Sequence, residues 1–496
     1  MFLTTPRFAF PIRMLLALSL LMLPLSAMAK PAAVAAEAAT PAEQTDRALR
    51  AYLTRFRVPG AQVAVVKDGT LVFSRAYGSA NLAFDTPATT QTVFTLASIT
   101  KAFTGVAAMQ AVEADKFDLA APISRYLDGL PEAWRAITVR QLLSHTSGLP
   151  DINRAPTVET DAAQAWNWAL AQPVLFAPGE RFHYCQTNYT LIQRALNRVY
   201  GREPDAMLGD AQFAAAGMRR TRYGDSRDVI VGKGPDYQFV RATPGAAGVL
   251  EQRFPVSLPF KRASNGLVGT AEDVALWLVA LEQGKLLGPQ ALATMWTPVA
   301  FNDGRAGQWG MGWTVLPRGA GHRAVGMTGG ARSAFYLYPE DRVAVVILTN
   351  LAGAYPEDEI DRIAGYWAPA LRPSGVSALR IALDDSGYDR AVRTAREIAK
   401  RDPSLQWNEL ELNDWGYRLL HSGRPRDGLA VMKLVASLFP RSGNAQDSLG
   451  EAYAINGESA LAVVHYRRSL ALDPGNANAA KQIERLQKVG AGAGKH

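Results

Sequence analysis

The chain has 496 residues, of which 48% are hydrophobic and 20% charged, with a formal net charge of +8. That length exceeds one typical core, so two or more domains are expected, and the composition excludes a disordered polypeptide. The positive charge is spread along the sequence, which leaves a nucleic-acid partner no footprint.

Arg7 and Arg13 precede the apolar run from Met14 to Leu23, and Ala27-Met28-Ala29 supplies the small residues that a signal peptidase accepts. Residues 1–29 therefore read as a secretory signal peptide cleaved after Ala29. The apolar run is shorter than the roughly 20 residues a spanning helix needs. The mature chain is expected to be exported, periplasmic or secreted, with no stable membrane span. Residues 30–45, rich in alanine with Pro31 and Pro41, read as a flexible leader. Cys185 is the single cysteine, so no intramolecular disulfide can form and stability must come from packing. The six histidines lack metal-ligand spacing and no phosphate-cradling glycine loop is present, so neither a metal nor a cofactor is implied.

Gln62 to Val66 and Leu71 to Phe73, joined by Asp68-Gly69, predict a β-hairpin. After Ser98, Ile99, Phe103, Val106 and Gln110 recur with helical period among small residues, which suits a buried central helix. A second strand-rich region runs from Trp309–Trp313 through Ala334–Tyr338 to Val343–Leu348, with Pro339-Glu340-Asp341 as a turn. Strands early and late with helices between them predict an α+β fold over residues 46–370: one antiparallel sheet closed by the first and last segments, flanked by helices, with a helical insertion.

Pro369, Pro373 and Gly375 mark a boundary. Beyond it Trp415-Gly416, Gly423 and Pro440 recur 34 positions later as Leu449-Gly450, Gly457 and Pro474. With Tyr453, Ala462, Tyr466 and Leu470, that offset resembles the tetratricopeptide repeat, so residues 371–490 are expected to form an all-α helical-repeat domain. Two good repeats bury little alone; they should lean on earlier helices and on a capping helix near Ala479 to Val489. Such a unit either offers a surface to a protein or peptide partner or serves as a passive helical cap.

Chemistry concentrates at Ser98-Ile99-Thr100-Lys101. Residues three apart share a helical face, so the Lys101 amine can reach the Ser98 hydroxyl and, if burial lowers its pKa, accept the hydroxyl proton. The four-residue pattern alone also fits an ordinary helix start with a capping serine and a solvated lysine.

The chain next contains Leu142-Leu143-Ser144-His145-Thr146-Ser147-Gly148-Leu149-Pro150, then Pro178-Gly179-Glu180-Arg181-Phe182-His183-Tyr184-Cys185-Gln186-Thr187-Asn188-Tyr189. Ser264-Asn265-Gly266-Leu267-Val268-Gly269-Thr270-Ala271-Glu272-Asp273 and Met327-Thr328-Gly329-Gly330 come later. In this order, from about Thr45 to Ala370, the segments resemble the serine beta-lactamase and penicillin-binding family, in its class C-like branch, which also holds esterases and D-amino-acid peptidases. The resemblance implies Ser98 as the acylated nucleophile, Lys101 as proton acceptor or electrostatic partner, and Tyr184 as second base or acid. It also implies the N–H groups of Ser98 and Gly330 as oxyanion donors. Gln186, Met327, Thr328 and Gly329 are the implied substrate-binding positions.

Two positions depart from the family pattern. Gln186 stands where asparagine is usual, and Met327 stands where lysine or histidine is usual. A lysine there would help hold the carboxylate of a beta-lactam or stem peptide, so its loss favours esters and small acyl compounds, and an esterase or D-amino-acid peptidase type is expected ahead of an efficient beta-lactamase. His145 and Cys185 read as structural, and His322 as a residue that could reach the cleft. The expected function is an exported serine hydrolase acting on an ester or amide. The competing reading is an impaired penicillin-binding-like protein whose repeats bind a partner.

Overall fold

The computed structural model describes residues 39–202, 208–242, 246, 248–319 and 321–493; the signal-peptide segment and residues 30–38 of the leader lie outside them. Helix α1 (Pro41–Phe56) begins inside the segment expected to be a flexible leader. The Thr40 hydroxyl accepts from the Glu43 N–H at 3.3 Å, and the Glu43 carboxylate accepts from the Thr40 N–H at 2.8 Å. This capping box, with Pro41 at the first helical position, ends the leader at residue 40.

The hairpin forms where the turn chemistry places it. Asp68 and Gly69 both take positive φ, 50° and 71°, the geometry that matches the twist of the flanking strands. They join β1 (Gly60–Lys67) to β2 (Thr70–Asn81). Five further strands complete the sheet: β3 (Thr86–Pro87), β4 (Thr314–Pro317), β5 (Arg323–Gly329), β6 (Ser333–Tyr338) and β7 (Val343–Thr349). Their order is β3-β2-β1-β7-β6-β5-β4, antiparallel throughout, so the first and last segments of the domain meet at the β1–β7 seam with Val63 opposite Ile347.

Alternation along β1 divides the interior. Ala64 and Val66 enter one apolar cluster, with α2 (Thr100–Glu113), α3 (Gln186–Tyr200) and α4 (Ala271–Glu282). Val63 and Val65 enter the other, with α1 and α5 (Glu357–Trp367). Helix α2 is buried on every side from Thr100 to Met109, with the Phe103 ring stacked 3.8 Å from Trp277. Its small residues allow this: a Cβ on Gly105 would stand 2.2 Å from the Met311 carbonyl oxygen.

From residue 375 onward the described chain is helical: α6 (Gly375–Ser386), α7 (Ala391–Arg401), α8 (Glu409–His421), α9 (Pro425–Leu438), α10 (Gly443–Ile455), α11 (Ser459–Leu472) and α12 (Ala477–Ala493). Helices α8 and α9 share their boundaries with α10 and α11 at the 34-residue step of the sequence repeat. Met432 rests against Gly416 as Tyr466 rests against Gly450. The helices are tied to the sheet domain through α5, whose acidic residues are buried. Asp358 pairs with Arg380 and Arg418, both at 3.1 Å, Glu359 with Arg55 at 3.3 Å, and Asp361 with Arg318 at 2.8 Å. No described helix is long and apolar enough to cross a membrane.

Candidate active site

Ser98 sits in a single 3-10 turn, Ala97–Ile99, that runs directly into α2. Ala97, with φ of 48°, lies in the left-handed region, a strained conformation that sharpens the turn before Ser98. Two contacts tie this turn to the β5–β6 connection. The Ser333 hydroxyl donates to the Leu96 carbonyl at 2.8 Å, and a Cβ on Gly329 would stand 2.1 Å from the same oxygen. Only a glycine lets β5 approach so closely, and the approach brings Gly330 beside Ala97. The Ser98 and Gly330 N–H groups have no acceptor among the described residues. Both residues line one cleft of about 370 Å³.

Lys101, the second residue of α2 and one turn after Ser98, is fully buried. Its amine lies 3.4 Å from Ser98 Oγ, 2.7 Å from Gln186 Oε1 and 2.8 Å from the Ser264 carbonyl oxygen. Burial holds its pKa well below the usual lysine range, although the Asp151 charge works in the other direction. Tyr184 interacts with both Ser98 and Gln186, and its ring centroid lies 4.8 Å from the Lys101 amine. Burial raises the phenol pKa, so Tyr184 is a proton donor at neutral pH.

The segment around Tyr184 is held by buried polar contacts. His145 Nδ1 accepts from the Cys185 N–H at 3.1 Å and faces the Asn188 amide nitrogen at 3.2 Å. The proton therefore resides on Nε2, which is buried without a partner, while the ring packs 4.5 Å from Tyr184. Burial keeps the imidazole neutral. His145 packs against the Tyr184 ring and holds the Cys185 N–H. The buried Cys185 thiol, pushed up to about 12 by burial, is no nucleophile.

A family model described as Beta-lactamase matches residues 45–366. The chain belongs to the beta-lactamase family. It is 34% identical over 200 residues to a D-aminopeptidase of Cereibacter sphaeroides, a match covering 38% of each chain. The chain thus spans about 38% of the length of that relative. Penicillin-binding protein 4* of Bacillus subtilis is 24% identical over 310 residues, covering 58% of this chain and 67% of that protein. Among solved structures, the hydrolase EstCE1, titled as having promiscuous acyltransferase activity, superposes with a TM-score of 0.56 at 21% identity, covering 67% of this chain and 98% of that one. At that identity the likeness speaks for the fold.

Within the beta-lactamase frame the residues expected from the sequence separate into two groups. Ser98, Lys101, Tyr184, Gln186 and Gly330 converge. Met327 does not line the cleft: it is 2% exposed, pairs with Phe335 across the β5–β6 ladder and lies in the helix-side core, so the substrate-binding role expected for it is corrected. Thr328 pairs with Ala334 on the other face of the sheet, and Gly329 acts through backbone packing; neither lines the cleft. His322 also lies apart, 2.8 Å from Asp341 and away from the cleft lining. Sequence reasoning did not single out Ser264 as an acceptor for Lys101, nor the cleft residues Lys261, Asn265, Arg253 and Arg332. Ser264-Asn265 was visible as a motif, but Lys261 and Arg253 carry no local signal.

Proposed function

We propose that this chain is a serine hydrolase that forms an acyl-enzyme on Ser98 and releases it to water, acting on an ester or amide. The Lys101 amine carries this reading. A neutral amine directs its two N–H bonds to Gln186 Oε1 and the Ser264 carbonyl, at 2.7 and 2.8 Å, and turns its lone pair toward Ser98 Oγ at 3.4 Å. Lys101 takes the Ser98 proton as the hydroxyl oxygen bonds to the substrate carbonyl carbon. The charge developing on the carbonyl oxygen is met by the Ser98 and Gly330 N–H groups, donors of a kind worth about 100- to 1000-fold each. Tyr184 passes a proton to the leaving group, and water then reverses the sequence to free Ser98.

Esters and D-amino-acid amides suit the site better than beta-lactams, because Met327 brings no cation to the cleft. The similarity to a D-aminopeptidase supports this reading. The competing reading, an impaired protein that acts only through its helices, has Gln186 against it: the longer amide holds the lysine instead of abandoning it.

Export also belongs to this proposal, with Lys30 as the first residue of the mature chain, which N-terminal sequencing of the exported protein checks. The paired helices from α8 to α11 are proposed to receive a protein or peptide partner. Mass spectrometry after fluorophosphonate treatment tests the chemistry: the reading requires an adduct on Ser98 that Ser98→Ala abolishes. No adduct on a folded sample would overturn it.

A further inference from the structure

Of the other described basic residues inside or behind the cleft, Lys101, Arg332 and Lys233 have partners and Arg253 is exposed. Lys101 makes the three contacts above, and Arg332 pairs with Asp236 at 2.8 Å. Lys233, beyond Arg332, stands 3.9 Å from the same Asp236. Lys261 differs. It is 4% exposed, lines the cleft with Ser98, Gln186 and Gly330, and makes no side-chain hydrogen bond or ion pair among the described residues.

Its stem is buried while its amine opens on the cleft with no counter-charge beside it, so burial disfavours the charged form and an arriving anion would restore it. The acids nearby do not fill that role. Asp225 is committed to Arg227 at 2.7 Å and to the Ser257 N–H at 2.8 Å. Asp151 accepts from the Gln186 N–H at 3.0 Å, and Glu159 is an exposed residue of the rim; both act on Lys261 only at a distance.

The lysine is also fixed in place. It ends the short turn Pro259–Lys261, whose first carbonyl accepts from Gln193 at 2.8 Å, and its own carbonyl accepts from Ser264 Oγ at 2.7 Å. The same stretch delivers the Ser264 carbonyl to Lys101 through backbone contacts in which the Lys261 side chain takes no part.

Resting on the hydrolase reading, we propose that Lys261 binds a carboxylate of the substrate, making this an enzyme for esters or amides that carry an acidic group. The cation absent at Met327 is thereby supplied from a different element, the turn Pro259–Lys261. Exposed Arg253 on the same lining adds positive potential at the entrance.

Matched p-nitrophenyl substrates test this. One pair places the acid on the acyl side, p-nitrophenyl hydrogen glutarate against p-nitrophenyl valerate. The other places it on the leaving group, 3-carboxy-4-nitrophenyl butyrate against p-nitrophenyl butyrate. In at least one pair the acid should be preferred by tenfold or more in kcat/KM. Lys261→Met should erase that preference through KM, leaving the neutral ester within about twofold, and Lys261→Arg should retain part of it. A second measurement needs no variant: millimolar glutarate should slow fluorophosphonate labelling of Ser98 in the unaltered protein, and dimethyl glutarate should not. Labelling with neither acid preference nor glutarate protection would overturn the carboxylate site and leave the hydrolase standing. Equal loss on acidic and neutral esters in Lys261→Met would also overturn it. Absence of labelling would remove the hydrolase reading and this inference with it.

Discussion

The Lys101 amine donates to Gln186 Oε1 at 2.7 Å, across the junction between α2 and α3. The extra methylene of glutamine, which at first sight displaces the amide, places it against the lysine. Replacing Gln186 with alanine removes a hydrogen bond between neutral groups worth about 0.5–1.5 kcal/mol, so acylation of Ser98 should slow by roughly 2- to 10-fold. Gln186→Asn should recover less than the full rate. Stopped-flow labelling with a chromogenic ester reads both variants.

The acylation rate should rise with pH. Lys101 acts as a base only when neutral, and its pKa lies well below that of a free lysine because of burial, so the ascending limb belongs below the usual lysine range. Tyr184 titrates above a free tyrosine, so it keeps its proton through that limb and causes no early descent. Lys101→Met should lower the rate by about 100- to 10,000-fold and flatten the profile. A Lys101→Met enzyme retaining both rate and slope would show that another base serves Ser98.

Gly329→Ala should damage stability and chemistry together. The new Cβ would stand 2.1 Å from the Leu96 carbonyl, which is backbone and cannot swing aside. Overpacking of this kind costs about 1–3 kcal/mol, and the strand shift moves Gly330 away from Ser98. Thermal unfolding and ester turnover should both fall. A variant of unchanged melting temperature and activity would contradict the tight approach.

Burial pushes Glu359 on α5 up to about 7, despite Arg362 and Arg55 beside it. A carboxyl raised in the folded state contributes stability at low pH that is lost as pH climbs from its unfolded value near 4.5 through 7. The loss is on the order of 3 kcal/mol. Denaturant midpoints should therefore decline across that window, and Glu359→Gln should reduce the decline, since Arg55 keeps Asp384 at 2.7 Å as a partner. An unchanged pH slope in the variant would place the effect elsewhere.

Local patterns were legible because their physics is local. Asp68-Gly69 specifies a turn by backbone preference, the short apolar run of β1 beside it specifies a strand, and a serine three residues before a lysine places two groups on one helical face. The 34-residue step of the C-terminal part likewise reappears in its helix boundaries. The helix at Pro41 was missed, although Thr40-Pro41-Ala42-Glu43 held the capping box, because alanine and proline content outweighed it.

The amino-acid order by itself determined the fold class and nominated Ser98, Lys101 and Tyr184, the first two by a three-residue spacing and the third through the resemblance of a separate motif. Tertiary structure alone decided that Gln186 and the Ser264 carbonyl hold Lys101, that Met327 turns into the core, that Lys261 stands unpaired in the cleft, and that the acids of α5 meet arginines from α1, α6 and α8. Each of these depends on contacts between residues far apart in the chain, and burial, which sets whether a charge is neutralised or left waiting, exists only after those distant segments have packed.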